Sequence, residues 1–484
     1  MSAKDYDAVV LGAGPNGLAA AITLQARGLS VLLIEGKKTI GGGLRSAELT
    51  LPGFVHDICS AIHPLAADSP FFNTLPLETH GLQWVTPPVA AAHPFDDGVA
   101  AALLATVDDT AKTLGKDREA YHKLMDPLVR DWPSLAPQLL GPLRYPDHPL
   151  SVARFGLLGL PSVKTLAHRF QTREARGLLA GMAAHSMQPL TGLSTAAVAL
   201  VFLMAGHGKG WPFPRHGASQ LATALGAYFA SLGGTIQTDT AIASLNQLPG
   251  SKALLLDVSP RQLLTLGGHR WSSLYRWQLE RYRYGMGVFK MDWALAEPIP
   301  FTAPACRSAG TVHIGGSLEE IAASEAQTFN GAPAEKPFVL LAQQSLFDDS
   351  RAPQGKHTGW AYCHVPNGSR KDMTEIIEKQ VERFAPGFRE RILARHTMDT
   401  AQMETYNPNY IGGDINGGNL DIGQLFTRPA LRHSPYKTSE KNIYLCSAST
   451  PPGGGVHGMC GYHAARRALK DIFRLDIPAR PASF

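Results

Sequence analysis

The sequence predicts an α/β protein in which a parallel-sheet domain is interleaved with a second domain of α+β type. Three observations carry this reading. A strand, glycine turn, helix and strand follow one another at residues 6–35. A strand and another glycine turn near the C-terminus have no room for a second unit of that kind. The chain, at 484 residues, is also longer than the roughly 250–300 residues at which a single core stops growing.

The first unit opens with the apolar run Tyr6 to Leu11 and turns through Gly12-Ala13-Gly14-Pro15-Asn16-Gly17. A helical pattern continues to Ala26 and Gly28 ends it; Val31 to Ile34 then forms a second strand finishing on Glu35. This is the pattern of a Rossmann-like dinucleotide site. Gly12 permits the tight turn, Gly14 lets backbone approach a pyrophosphate, and Gly17 lets helix and strand pack closely. The helix N-terminus favours phosphate through its unpaired N–H groups and dipole. Glu35 is placed to accept hydrogen bonds from ribose hydroxyls, with Gly36 and Lys37 beside it. A second glycine turn, Gly41-Gly42-Gly43-Leu44-Arg45, follows closely. It suits passage over a cofactor longer than NAD and so points to FAD, with Arg45 available to phosphates or to the flavin edge.

Near the C-terminus, Asn442 to Cys446 reads as a strand and Pro451 to Gly458 as a turn, with a helix at Tyr462 to Ile472. The glycines fit G-x-G-x-x-G, yet only 26 residues follow Gly458 (484 − 458). The strand is therefore expected to return to the first sheet. Gly454, Gly455, Val456, His457 and Gly458 would then present a helix N-terminus to the flavin pyrimidine carbonyls.

With these elements in place the chain resembles the phytoene-dehydrogenase-like FAD oxidoreductases, relatives of the carotenoid desaturases and, more distantly, of the flavin amine oxidases. Trp211 to Leu221 and the helix ending at Gly233-Gly234 are similar to that family's segment before the strand that touches adenine. The resemblance makes Thr235 to Ile242 that strand, with Ile242 at the backbone-contact position. Gly412 to Gly418 and Asp421 to Pro429 look closer still to the branch of pyridine nucleotide-disulphide oxidoreductase domain-containing protein 2. Carotenoid desaturases usually carry aspartate followed closely by glycine after the first flavin motif; here Phe54 to Ser60 keeps Asp57 and lacks the glycine, which counts against a polyene substrate. The resemblance implies a glutathione-reductase-type FAD domain built from residues 1–75, 212–280 and 436–484. A substrate domain is implied from 76–211, a helical insertion, and 281–435, a mixed sheet.

Composition sets the remaining bounds. With 44% hydrophobic and 18% charged residues the chain is not disordered. A net charge of +5 without a basic block excludes nucleic acid as a partner. Five cysteines, none in C-x-x-C, indicate a reducing, cytoplasmic setting without a redox dithiol. Strand residues from Tyr6 onward leave no room for a signal peptide. The apolar run Leu190 to Gly206 falls short of the roughly 20 residues that span a bilayer and reads as a buried helix. Metal-ligand spacings and a G-x-S-x-G elbow are both missing, which speaks against metal and hydrolase chemistry.

The expected chemistry is hydride transfer from an apolar, lipid- or isoprenoid-like small molecule to flavin N5, as in a dehydrogenase, desaturase or oxidase. Oxygen, a quinone and a carrier protein remain open as electron acceptors. The alternative is a flavin-binding interaction protein that docks a partner through its insertions. Lys290, at a position resembling the family's strand lysine, could approach the flavin or anchor an anionic head; an exposed strand lysine is the competing reading. His185 in an apolar helix and His457 in the glycine turn are the other candidate catalytic groups, against a core histidine and working backbone N–H groups respectively. His63 could line the pocket mouth. Phe155 to Pro161 is either a buried loop or a peripheral membrane contact.

Overall fold

The computed structural model describes residues 5–475; residues 1–4 and 476–484, assigned above to the ends of the cofactor domain, lie outside the described residues. Five strands form one all-parallel sheet in the order Ile443–Leu445, Ser251–Leu256, Tyr6–Leu11, Val31–Ile34, Thr235–Gln237. Their apolar runs suit a parallel sheet covered on both faces. Side chains alternate accordingly. Val10, Leu33, Leu255 and Tyr444 pack under the helices Pro15–Gln25, Ser219–Ser231 and Met459–Ala468. Val9, Leu32, Leu254 and Leu445 pack against Leu263, Trp271 and Tyr275 on the opposite side. The strand that sequence places at Thr235 to Ile242 ends at Gln237, and the strand Ser251–Leu256, beside the central Tyr6–Leu11, was not anticipated.

The second sheet has seven strands in the order Ile392–Met398, Gly287–Leu295, His357–Val365, Val339–Ala342, Ala309–Ile314, Val89–Pro94, Ala100–Leu103. Every pair is antiparallel except Ala309–Ile314 with Val89–Pro94, so the sheet is mixed. The last two strands come from the first insertion, which the sequence reading made helical. Their cores are alanine-rich, a composition depleted in strands, and burial between two layers overrides it. One face is covered by the helices Arg118–Leu139, Arg173–Ala184 and Thr195–Gly208, the last of which occupies the apolar run noted above. The other face is covered by Thr374–Phe384.

A buried polar knot ties the hairpin Ser46–Glu48 and Val55–Asp57 and the start of the helix Ser219–Ser231 to the turn at 348–351. One Asp57 oxygen accepts from Ser46 Oγ and Ala218 N at 2.7 Å each, and the other pairs with both Arg351 terminal nitrogens at 3.1 Å. Arg351 Nε reaches Asp348 at 3.0 Å, and Asp348 accepts the His216 N–H. Asp57, whose context counted against a polyene, lines neither cavity described below and acts as this latch. Removing one partner of a buried pair leaves uncompensated charge, at roughly 3–5 kcal/mol. Arg351→Ala is therefore expected to lower unfolding free energy by about that amount in denaturant titration, whereas Arg215→Ala, at an exposed pair with Asp349, should change it little.

The interior is also rich in neutral imidazole. Burial holds His56, His63, His93, His207 and His457 down to about 4, and His185 and His463 to about 3. Unfolding restores them to about 6.5, so the unfolded chain binds more protons between those values. Their stabilisation is complete above about pH 6.5 and is lost as pH falls toward 4. Asp68, Asp257 and Asp414, raised by burial, act in the opposite sense, but they are three groups against these seven and His313 and His357, which burial also lowers. Thermal midpoints measured from pH 7.5 to 5 should fall steadily below about pH 6.5; a flat profile would contradict this balance.

A candidate dinucleotide and substrate site

The first glycine turn sits at the carboxyl ends of the parallel strands, where open α/β sheets bind ligands. Gly12 has φ +97, and a Cβ at Gly17 would stand 1.8 Å from Gly12 O, so the helix can begin here only on glycine. Beneath the turn lies Asp257, just past the strand Ser251–Leu256. Its Oδ2 accepts the Gly17 N–H at 3.1 Å, and burial, with the Glu35 charge adding, pushes its carboxyl up to about 7. Glu35 ends the next strand, with Oε2 accepting from Ala13 N at 3.0 Å and Oε1 from Lys37 N at 2.9 Å.

A cavity of about 720 Å³ runs from here along the strand ends. Gly12, Gly14, Pro15, Asn16, Glu35, Gly36, Lys37, Gly42, Gly43, Arg45 and Ile242 line its first half, and Gly455 and Val456 its far end. Three features fit a dinucleotide: a Cβ on Gly42 would come within 3.0 Å of Gly14 Cα, the buried Asn16 Oδ1 has no hydrogen-bond partner, and the second glycine turn faces the first. Not every expected residue reaches the cavity. Ala13 and Gly17 support it through their N–H groups, and Leu44 is core. Gly458 caps the last helix against Phe72. The Arg45 guanidinium is already engaged by Thr39 O at 2.7 Å, Gly42 O at 3.1 Å and Glu35 at 3.2 Å, so it holds the loop's shape.

A second cavity, of about 1040 Å³, enters between Pro149–Gly159 and Thr195–Gly208 and is walled by side chains such as Phe155, Leu160, Val198, Val201 and Phe202. Phe155 is buried there while Leu157 faces outward. The two cavities share Leu65, His185, Phe202, Tyr362, Ile415, Asn416 and Gly455. These residues form a neck between the two cavities.

Of the three proposed catalytic groups, only His185 is in the neck. Its ring packs on Phe202 at 4.5 Å, and its Nε2 lies 3.0 Å from His313 Nε2, so one imidazole donates to the other. His457 and Gly454 line the substrate cavity and not the dinucleotide one. His457 Nδ1 accepts the Met459 N–H at 3.0 Å, which places the neutral ring's hydrogen on Nε2. Lys290 lines neither cavity. It is buried rather than exposed, 2.5 Å from Asp292 Oδ1 and over the Trp360 ring. Burial lowers its pKa and Asp292 opposes that shift. Trp360 and Cys59 stand on the dinucleotide cavity's wall, with Lys290 behind them. His63 is at that wall too, bonded to Ser60 Oγ at 3.0 Å.

Sequence reasoning missed Asp257, Tyr362 and the 415–417 turn. Asp414 builds that turn by accepting from Gly285, Asn416 and Gly418 N–H groups at 2.7, 2.8 and 2.9 Å. The signal for Asp257 was an acid directly after the apolar run Ala253 to Leu256. A Cβ at Gly14 would be 3.0 Å from Asp257 Oδ2, so Gly14→Glu should abolish retention of a dinucleotide, read as loss of visible absorbance with unchanged far-ultraviolet circular dichroism.

Residues 10–74 match the NAD(P)-binding Rossmann-like domain model. Over 97% of its length the chain is 24% identical to pyridine nucleotide-disulfide oxidoreductase domain-containing protein 2 of Mus musculus, covering 94% of that protein. It is 24% identical to the lycopene-forming phytoene desaturase of Paracoccus sp., over 59% of each chain. A double mutant of putrescine oxidase shares the fold, with a TM-score of 0.62 at 16% identity, covering 97% of this chain and 99% of that one. The five cysteines are all free, and no group of His, Cys, Asp or Glu among the described residues could hold a metal ion. The glycine turn over Asp257 and the two joined cavities belong to an oxidoreductase that is similar over nearly its whole length to pyridine nucleotide-disulfide oxidoreductase domain-containing protein 2 and, over part of it, to a phytoene desaturase.

Proposed function

We propose that the chain is an FAD-dependent dehydrogenase, desaturase or oxidase acting on an apolar, lipid- or isoprenoid-like small molecule. The observation that carries this reading is the neck, where the dinucleotide cavity opens onto a larger, apolar-walled one. Glu35 would hold the adenosine ribose, and the two facing glycine turns would hold the pyrophosphate. Val456 and Gly455 would border the ring. Bound there, FAD supplies a hydride acceptor at N5.

The chain's own groups do the rest. Leu65, Phe202 and Ile415 exclude water and hold a donor carbon over the neck. His185 is neutral at physiological pH, since burial keeps it at about 3; with its Nε2 hydrogen donated to His313, its Nδ1 would take a proton from the carbon or heteroatom beside the donor carbon. His313 shares its other hydrogen bond. A base is active when unprotonated, so proton acceptance would be lost only as pH falls toward about 3.

Anaerobic mixing with apolar donors should bleach the bound flavin. His185→Phe should retain flavin while slowing bleaching by about 10²-fold or more, and the wild-type rate should be flat in pH from 5 to 9. A donor that bleaches His185→Phe as fast as the native protein would remove that residue from the mechanism.

No helix among the described residues is long and apolar enough to cross a membrane. Leu143, Tyr145, Leu150 and Leu431 are nonetheless strongly exposed beside the substrate cavity's outer lining, which supports a peripheral lipid contact. Flotation with anionic vesicles should carry the protein upward, and Leu143→Glu with Leu431→Glu should leave it at the bottom.

A further inference from the structure

The substrate cavity separates charge from apolar surface along its length. Among the described residues lining it there is no Asp or Glu, yet Arg144, Arg432, Arg466, Arg467 and Lys470 all do. Its inner half is uncharged: His185, His457 and His463 are each held neutral by burial, and the surrounding walls are apolar. The cations sit at the outer end. The helix Met459–Ala468 starts beside the neck at Gly455 and carries Arg466 and Arg467 in its last turn, roughly 12 Å from its start at 1.5 Å per residue. Lys470 lies on the turn beyond and Arg432 on the facing segment, both exposed.

Some of this charge is balanced. Arg467 pairs with Asp471 at 2.9 Å and Arg144 with Asp147 at 3.2 Å, but both carboxylates lie outside the lining. Arg432 stacks over Tyr275 at 5.2 Å. Neither it nor Lys470 has a salt bridge among the described residues. A wholly apolar substrate would gain nothing from a cationic, acid-free rim, and a cationic one would be repelled by it. An anion on a long apolar chain satisfies both ends, since its head would make charge-assisted hydrogen bonds at Arg432 and Lys470 while its chain fills the channel toward the neck.

Resting on the functional reading above, we infer that the substrate is an amphiphile whose anionic head, carboxylate or phosphate, is held at Arg432 and Lys470 with the reacting carbon well along its chain. The test is equilibrium binding of dodecanoate, dodecyl phosphate and 1-dodecanol, below their aggregation concentrations, to the intact protein. At least one anion should bind about tenfold or more tightly than the alcohol, and whichever anion does so names the head. Arg432→Glu with Lys470→Glu should erase that preference while leaving the alcohol's affinity unchanged, and Arg432→Lys with Lys470→Arg should restore it. Val201→Trp, which fills the channel, should weaken all three ligands.

Equal binding of anions and alcohol would overturn the inference, as would a preference that survives charge reversal or an anion that still binds when the channel is filled. None of these readouts depends on flavin reduction. Failure of the head-group inference would leave bleaching by apolar donors intact, and failure to bleach would leave the binding preference standing.

Discussion

Two backbone crossings that admit no side chain set the position of both cavities. The first helix can reach the strand before it only because Gly17 lies against Gly12 O, and the last helix can reach the first only because Gly461 lies against Asn16 O, where a Cβ would stand 1.7 Å away. These contacts draw segments some 440 residues apart (461 − 17) into one layer over the parallel sheet. The starts of both helices are thereby brought to the same edge. One opens onto the dinucleotide cavity, and the turn before the other, Gly454 to His457, forms part of the wall between that cavity and the substrate channel. A substituent at either crossing would part the helices and with them the neck.

The polar interior follows from the same crowding. Asp257 lies under the turn on the wall of the dinucleotide cavity, where it accepts the Gly17 N–H while burial raises its carboxyl. Arg428, also buried, bonds Tyr282 Oη at 2.8 Å and Gly417 O at 3.1 Å, and Gly417 O in turn accepts from Ser449 at 2.8 Å. These bonds fix the 415–417 turn against the strand end at 447–449, on the same wall of the dinucleotide cavity. Buried groups are worth such desolvation when they hold one geometry, and here that geometry is the neck's.

What could be read from the sequence divides along this line. Glycines at crossings and turns are local requirements, so residues 12–17 and 41–43 pointed to the turns that line one cavity, residues 453–458 gave only Gly455 and Val456 to it, and the apolar strands around them declared the sheet. The neck was illegible because Leu65, His185, Tyr362 and Ile415 come from four segments that meet only when the second sheet is complete. Alternation misled at Lys290: Gly287–Leu295 is buried on both faces, so its period of two did not separate inside from outside. Alanine misled at 89–103 for the reason that small residues carry little strand preference of their own and take the form that packing gives them.

The central claim is that the cavity beginning at Gly12 and ending at Gly455 is built for a flavin dinucleotide. It is tested most directly by denaturing the purified protein and identifying the released cofactor by mass spectrometry. The account predicts FAD at about one per chain. Release of NAD(P) in its place, or of no dinucleotide from protein reconstituted with FAD, would contradict it.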